Sequence, residues 1–90
     1  MNKTQLIAKV AEQTAMSRKE TTKIVETTLS VIQEALQTGD SVHLTGFGNF
    51  EVRLRGARRG RNPLTGEEIQ IAASKIPAFK AGKTLRSAIQ

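Results

Sequence analysis

Five arginines lie within nine consecutive positions of this 90-residue chain, with no acidic residue among them. They are Arg53, Arg55, Arg58, Arg59 and Arg61. A guanidinium group stays charged and donates to two acceptors at once, which suits it to phosphate. Two interpretations are open, a solvated charged surface or a binding site for a polyanion. Like charges at this density repel one another unless a polyanion neutralises them, and this favours the second interpretation.

The distribution of the remaining charge supports a localised anion site. Residues 1–40 carry five basic and five acidic side chains, whereas residues 41–90 carry nine basic and three acidic ones. The formal net charge of +6 therefore arises entirely after residue 40. Charge of this sign and density predicts a polyanion as the partner.

No other group of residues has the types and spacing of a catalytic, metal or nucleotide site. His43 is the only histidine, and its alternating surroundings fit an ordinary strand residue better than a ligand or base. Gly46 and Gly48 lack the third glycine and the helix of a dinucleotide site. Glu67 and Glu68 fit a solvated pair better than a catalytic one. Because cysteine is absent as well, we expect no enzyme, no metal and no cofactor, and a reducing compartment fits.

The first elements predicted from the sequence are two helices. Residues 3–14, and a longer segment after Ser17, repeat apolar residues at helical spacing. Asn2 and Ser17 each open a capping-box sequence, and Gly39 fits the position just beyond a helix end. The chain has three Phe and neither Trp nor Tyr, so its core is thin. Either the fold is marginal, or a second copy covers the wide apolar face of this helical hairpin.

The pattern then changes to that of strands. Residues 42–45 and 50–55 alternate between apolar and polar, which predicts a hairpin. Residues 53–74 are expected to form a long two-stranded ribbon with its tip near Pro63, because Asn-Pro followed by Thr-Gly is a turn signal. Its middle holds almost no core residue, so it should project into solvent. Residues 83–89 predict a last short helix.

Three long motifs carry a family resemblance across the whole chain. They are GFGNFEVR at 46–53, GRNPLTG at 60–66 and IPAFKAGK at 76–83, and the opening MNKTQLI fits as well. With these motifs the chain resembles the bacterial histone-like HU family, whose sister is integration host factor. The resemblance implies an α+β fold, an intertwined homodimer of helical hairpins capped by a β-sheet, with two protruding β-ribbon arms. One domain over 1–90 would comprise a helical hairpin at 1–40, a sheet core at 41–52 and 75–82, an arm at 53–74 and a C-terminal helix at 83–90.

The resemblance also implies a function and a role for particular residues. The protein would bind double-stranded DNA with little regard for sequence, wrap the minor groove with its arms, bend the duplex and compact and stabilise the nucleoid in the cytoplasm. Bent, nicked or gapped DNA would be preferred, and neither a membrane nor a small-molecule substrate would be involved. The arm contacts would be Arg53, Arg55, Arg58, Arg59, Arg61 and Asn62, with Pro63 as the intercalating wedge. Phosphate contacts on the body would be Lys3, Lys75, Lys80, Lys83 and Arg86, and the dimer core would hold Phe47, Phe50 and Phe79.

Other function classes stay open on the sequence alone. One is a site-specific DNA-bending protein of the integration-host-factor type. Another is a basic RNA-binding or ribosome-associated protein, although the three phenylalanines are expected in the core and not on the kind of aromatic surface that such modules use for unstacked bases. An enzyme is disfavoured because no catalytic set of residues is present. Within the resemblance, Leu54 and Gly56 depart from what the commoner family members carry at the base of the arm.

Overall fold

Three helices and five strands follow one another in the computed structural model, which describes residues 1–90. They are α1 (Lys3–Thr14), α2 (Arg18–Gln37), β1 (Val42–Leu44), β2 (Gly48–Arg55), β3 (Arg58–Arg61), β4 (Glu68–Ile71), β5 (Ser74–Ala81) and α3 (Lys83–Ile89). The predicted α+β class is confirmed. The chain divides into two compact units, Met1–Glu34 and Ala35–Gln90. None of the helices is both long enough and apolar enough to span a membrane.

The start of α1 forms the predicted capping box. The side chain of Asn2 accepts a hydrogen bond from the Gln5 backbone N–H at 2.8 Å, and the Gln5 side chain accepts from the Asn2 N–H at 2.9 Å. These bonds satisfy two of the four amides that a helix start leaves unpaired. At the next helix, the hydroxyl of Ser17 accepts from the backbone N–H of Glu20 at 3.1 Å, so α2 also begins where the sequence predicts.

The end of α2 depends on Gly39. This residue has a φ of 84°, a left-handed conformation that glycine adopts without a steric penalty. The Gly39 N–H donates to the carbonyl of Leu36 at 3.1 Å, and the Asp40 N–H donates to that of Ala35 at 2.9 Å. This pair of bonds is a Schellman motif, and it confirms Gly39 as the residue that ends the helix.

Strands β1, β2 and β5 form an antiparallel three-stranded sheet in that order, here called the body sheet. Phe50 stands opposite Val42 on one side and Phe79 on the other. Because side chains alternate along a strand, the face that carries Phe50 also carries Val52 and Leu54. The opposite face carries Glu51, Arg53 and Arg55 of β2, as the alternation in the sequence predicts. We call these the aromatic face and the basic face.

Strands β3 and β4 form a separate two-stranded sheet, which with the connecting residues 62–67 is called the distal ribbon. The long two-stranded ribbon predicted over 53–74 is therefore interrupted along its length. Residues 53–55 pair with residues 74–76 and belong to the body sheet, while residues 56–57 and 72–73 belong to neither sheet. Gly56 and three alanines occupy this break, and such small residues give the strands little side-chain packing to hold them together.

Helix α3 is held against the turn between β1 and β2 by two backbone hydrogen bonds. The N–H of Gly82 donates to the carbonyl of Phe47 at 2.8 Å, and that of Leu85 donates to Gly46 at 3.1 Å. A Cβ atom at Gly82 would lie 2.6 Å from the carbonyl oxygen of Gly46, so only glycine permits this approach. Gly82 also precedes the first residue of α3, which spans the predicted residues 83–89.

Few side chains are buried within the single chain. Ile7 and Ala11 of α1 and Thr21 of α2 are the buried side chains, and Gly48 is the buried residue of the body sheet. Large apolar residues of α2 remain half exposed, among them Ile24, Leu29 and Val31. The thin core predicted from composition is therefore observed, and much apolar surface is left uncovered.

Candidate nucleic-acid interface

The first two arginines of the cluster lie at the far end of β2, on the basic face of the body sheet. Both Arg53 and Arg55 are exposed. The guanidinium of Arg53 donates to the carboxylate of Glu51 at 3.0 and 3.2 Å, because residues two apart on a strand share a face. Arg55 makes no ion pair, so its charge is free.

The other three arginines lie on β3 and divide between the two faces of the distal ribbon. Arg59 and Arg61 share a face and stand opposite Gln70 and Glu68. Arg59 lies 3.6 Å from the carboxylate of Glu68, an exposed pair that contributes little to stability. Arg58 lies on the other face and, like Arg61, makes no ion pair. The ribbon thus presents positive charge on both faces.

A small apolar contact supports the distal ribbon. Ile69 and Ile71 of β4 lie on the face that also carries Gly60 and Arg58. A Cβ atom on Gly60 would lie 3.0 Å from the terminal methyl of Ile71, so the glycine leaves room for this side chain. The two isoleucines are 44% and 37% exposed, so the ribbon has packing on one face but no enclosed core.

The tip of the ribbon is a turn held by Asn62. The carbonyl of Asn62 accepts from the Gly66 N–H at 2.7 Å, and the Asn62 N–H donates to the carbonyl of Glu67 at 2.8 Å. The Asn62 side-chain oxygen accepts from the Leu64 N–H at 2.9 Å. Pro63 lies at the outer end of this turn and is exposed. Asn62, predicted as a DNA contact, therefore already uses its side-chain oxygen to shape the tip.

The predicted phosphate contacts of the body are distributed over several elements. Lys3 lies in the first unit, where its ammonium group is 3.3 Å from the carboxylate of Glu26. Lys75 and Lys80 both lie on β5, but Lys75 pairs with Leu54 of the aromatic face and Lys80 pairs with Asn49 of the basic face. The odd spacing of five residues already implies opposite faces on a continuous strand.

Helix α3 carries the two remaining predicted phosphate contacts. Lys83 is its first residue, and Arg86 follows three positions later, a spacing that places both on one side of a helix. Both are exposed and neither makes an ion pair. Like Arg58 and Arg61 of the distal ribbon, these two side chains are therefore positive charges without an acidic partner.

The three phenylalanines lie close together, but within one chain they are not buried. The ring centroids of Phe47 and Phe79 are 5.6 Å apart, and those of Phe50 and Phe79 are 4.9 Å apart. The rings are tilted against one another, an arrangement that stabilises aromatic pairs. Phe47 is nevertheless 51% exposed and Phe79 is 42% exposed. This cluster is an apolar surface without cover.

Two features of the interface were missed by sequence reasoning. The acidic residues Glu26, Glu51 and Glu68 each pair with a predicted DNA-contacting cation. Two of these ion pairs join different elements, so they could not be predicted without knowing how the elements pack. The third could have been predicted, because Glu51 and Arg53 are two residues apart on one strand and share a face. Leu64 at the tip is 93% exposed, and its apolar type beside Pro63 was visible in the sequence. No group of three or more histidine or acidic side chains is placed to hold a metal ion.

Comparison with known proteins gives consistent matches over the full length. The family model for bacterial DNA-binding proteins matches residues 1–90. The chain is 63% identical to DNA-binding protein HU-1 of Halalkalibacterium halodurans and 59% identical to DNA-binding protein HU of Geobacillus stearothermophilus, in each case over 90 residues and the whole of both chains. Among solved structures, it is similar to an Anabaena HU–DNA cocrystal structure, with a TM-score of 0.91 and 45% identity over 99% of this chain and 97% of that one.

Proposed function

The chain belongs to the HU family of bacterial DNA-binding proteins, and from that premise we propose that it is an architectural protein that binds double-stranded DNA largely without sequence preference. The family match confirms the resemblance described from the sequence motifs. The members of this family are DNA-binding proteins and not enzymes. In the proposal, the distal ribbon enters the minor groove and the duplex bends around the protein. In the cell, such binding compacts and stabilises the nucleoid in the cytoplasm.

The observation that carries this proposal is the free positive charge on both faces of the distal ribbon. A two-stranded ribbon in a groove turns one face toward each bordering phosphate strand. Arg58 then reaches one strand, while Arg61 reaches the other. Each phosphate neutralised by these groups releases condensed counterions, and this release supplies sequence-independent affinity. The minor groove shows a degenerate pattern of donors and acceptors, so contacts there read little sequence.

The tip supports bending as well as binding. Pro63 is exposed at the outer end of a turn that three hydrogen bonds to Asn62 hold in shape. Proline is rigid and has no N–H that would lose a hydrogen bond to water on insertion. Apolar side chains of minor-groove proteins wedge between base pairs and kink the duplex in this manner. We therefore assign Pro63 as the wedge of this arm.

The uncovered apolar surface supports a homodimer as the active form. Phe47 and Phe79 are about half exposed in the single chain, as are Ile24 and Leu29 of α2. Burying apolar area stabilises by about 25 cal/mol per Å², so a second copy that covers these side chains contributes several kcal/mol. A homodimer also carries two arms, and two wedges on one duplex bend it more than a single one.

Competition in a gel-shift assay tests the proposed function. Labelled linear duplex of arbitrary sequence is bound by the protein, and unlabelled competitors are then added at equal nucleotide concentration. We expect linear duplex of any sequence to compete equally, nicked or gapped duplex to compete better, and double-stranded RNA to compete worse. Strong preference for one duplex sequence would support a site-specific bending protein. Stronger competition by RNA would overturn the proposal.

A further inference from the structure

Leu64 is an exposed apolar side chain whose position has no explanation in the stability of the fold. It is 93% exposed, the largest exposed fraction among the large apolar residues of the chain. The distal ribbon packs Ile69 and Ile71 against Gly60, and Leu64 lies beyond this contact in the turn. Turns that face water usually carry polar residues, so an uncovered leucine there indicates an interaction outside the chain.

The backbone of Leu64 is held in place although its side chain is free. Its N–H donates to the Asn62 side-chain oxygen at 2.9 Å, and the tip is closed by the bond from Gly66 to the Asn62 carbonyl. The residue before it is Pro63, whose ring limits the backbone further. A side chain on a rigid backbone loses less conformational entropy on binding than one on a mobile loop.

The charge around the tip indicates what Leu64 contacts. Arg61 lies one residue before Asn62, makes no ion pair, and is part of the cluster of five arginines. An apolar side chain close to a free guanidinium group is complementary to DNA, in which phosphates border an apolar stack of bases. An acidic protein partner would offer carboxylates to the arginine, but it has no stack of bases to receive the leucine side chain.

We propose that Leu64 is a second wedge, which inserts beside Pro63 into the same opened base step in the minor groove. This inference rests on the proposed function and adds a residue to the site. Leucine is among the apolar side chains that unstack base steps. Insertion transfers the exposed side chain from water to the faces of the bases, so Leu64 increases both the affinity for intact duplex and the degree of bending.

The test compares Leu64→Gln with the parent protein and with a matched control, Ile89→Gln. Ile89 is 79% exposed and lies in α3, away from the arm, so the control removes a similar exposed apolar side chain. Affinity is measured on intact and on nicked duplex of the same sequence, and the bend is measured by fluorescence transfer between labelled DNA ends. A thermal melt and sedimentation of each free protein check folding and association.

We expect Leu64→Gln to weaken binding to intact duplex about tenfold, through partial loss of leucine burial, and to reduce the bend. On nicked duplex the loss should be about threefold or less, because the stacking there is already broken. Leu64→Met should bind like the parent, and Ile89→Gln should change neither quantity. The melting temperature of Leu64→Gln should equal that of the parent.

Three results would overturn the inference. Equal affinity and bend for Leu64→Gln and the parent would show that the side chain stays in water. An equal loss on intact and nicked duplex would show a general contact and no wedge. A change in sedimentation would show that the tip contacts another copy of the protein. Failure of the parent itself to bind or bend duplex would instead contradict the proposed function, so the two failures are distinguishable.

Discussion

Removing the free charge of the distal ribbon should change how DNA affinity depends on salt. The double variant Arg58→Ala, Arg61→Ala removes the two guanidinium groups of β3 that make no ion pair, one from each face. In a homodimer the variant lacks four charges. Each phosphate contact contributes about 0.9 to the slope of log affinity against log salt, so the slope should fall by about 3.6.

The size of this effect is large enough to measure directly. Between about 50 and about 200 mM salt, a slope change of this size makes the parent lose about 100-fold more affinity than the variant. The assay is a fluorescence-anisotropy titration at four or more salt concentrations, with two duplexes of unrelated sequence. The variant should lose affinity for both duplexes by a similar factor, because phosphate contacts carry no sequence information.

The matched control for this experiment is Lys9→Ala, Lys19→Ala. Both lysines are exposed, lie in α1 and α2, and make no ion pair, so the control removes the same charge from the helices. Neither position is among the predicted DNA contacts, so the slope should stay close to that of the parent. An arginine variant with the parent's slope, or with a loss confined to one sequence, would refute the reasoning.

Three further predictions concern assembly, bending and packing. Equilibrium sedimentation at micromolar concentration should give twice the chain mass, and the melting temperature should rise with concentration; a stable monomer there would contradict the homodimer. Pro63→Ala should change stability by no more than about 0.5 kcal/mol, yet reduce the bend of intact duplex, and an unchanged bend would make Pro63 a simple turn residue. Gly48→Ala should destabilise by about 1–3 kcal/mol in a denaturant titration, because the new Cβ would lie 2.5 Å from the Phe79 ring and 2.7 Å from the Lys80 carbonyl oxygen. Its control, Gly56→Ala, has nothing within 4 Å of the new atom and should melt like the parent, and equal melting of both variants would count against the packing argument.

The helices were predictable from the sequence because their limits depend on local bonds. Asn2 and Gln5 exchange hydrogen bonds across three residues, and Gly39 ends α2 through bonds that span no more than five. The alternation of β2 likewise placed Arg53 and Arg55 on the face opposite Phe50. In each case residue type and spacing contain the information, since the interacting groups are near neighbours in the chain.

The parts that were not predictable depend on which segments pair. The small residues at 56–57 and 72–73 indicate weak packing, but residue type alone does not define that Arg55 pairs with Ser74 while residues 56–57 pair with nothing. The ion pair of Arg59 with Glu68 likewise requires the register of β3 and β4. The exposure of Phe47 and Phe79 likewise depends on tertiary packing, which residue type and spacing do not define. Whether the predicted contacts act on DNA stays a prediction that the variants above address.

The break between the body sheet and the distal ribbon has a consequence for how the protein can diverge. Because residues 56–57 and 72–73 pair with neither sheet, the ribbon can open as a local unit while the aromatic cluster stays packed. Under the proposed function, substitutions in β3 and β4 would therefore alter DNA binding at little cost in global stability. Substitutions around Phe79 would instead alter stability and leave the charged side chains of the arm unchanged. Selection can act on the two properties separately, so arms of different composition can evolve on one conserved scaffold.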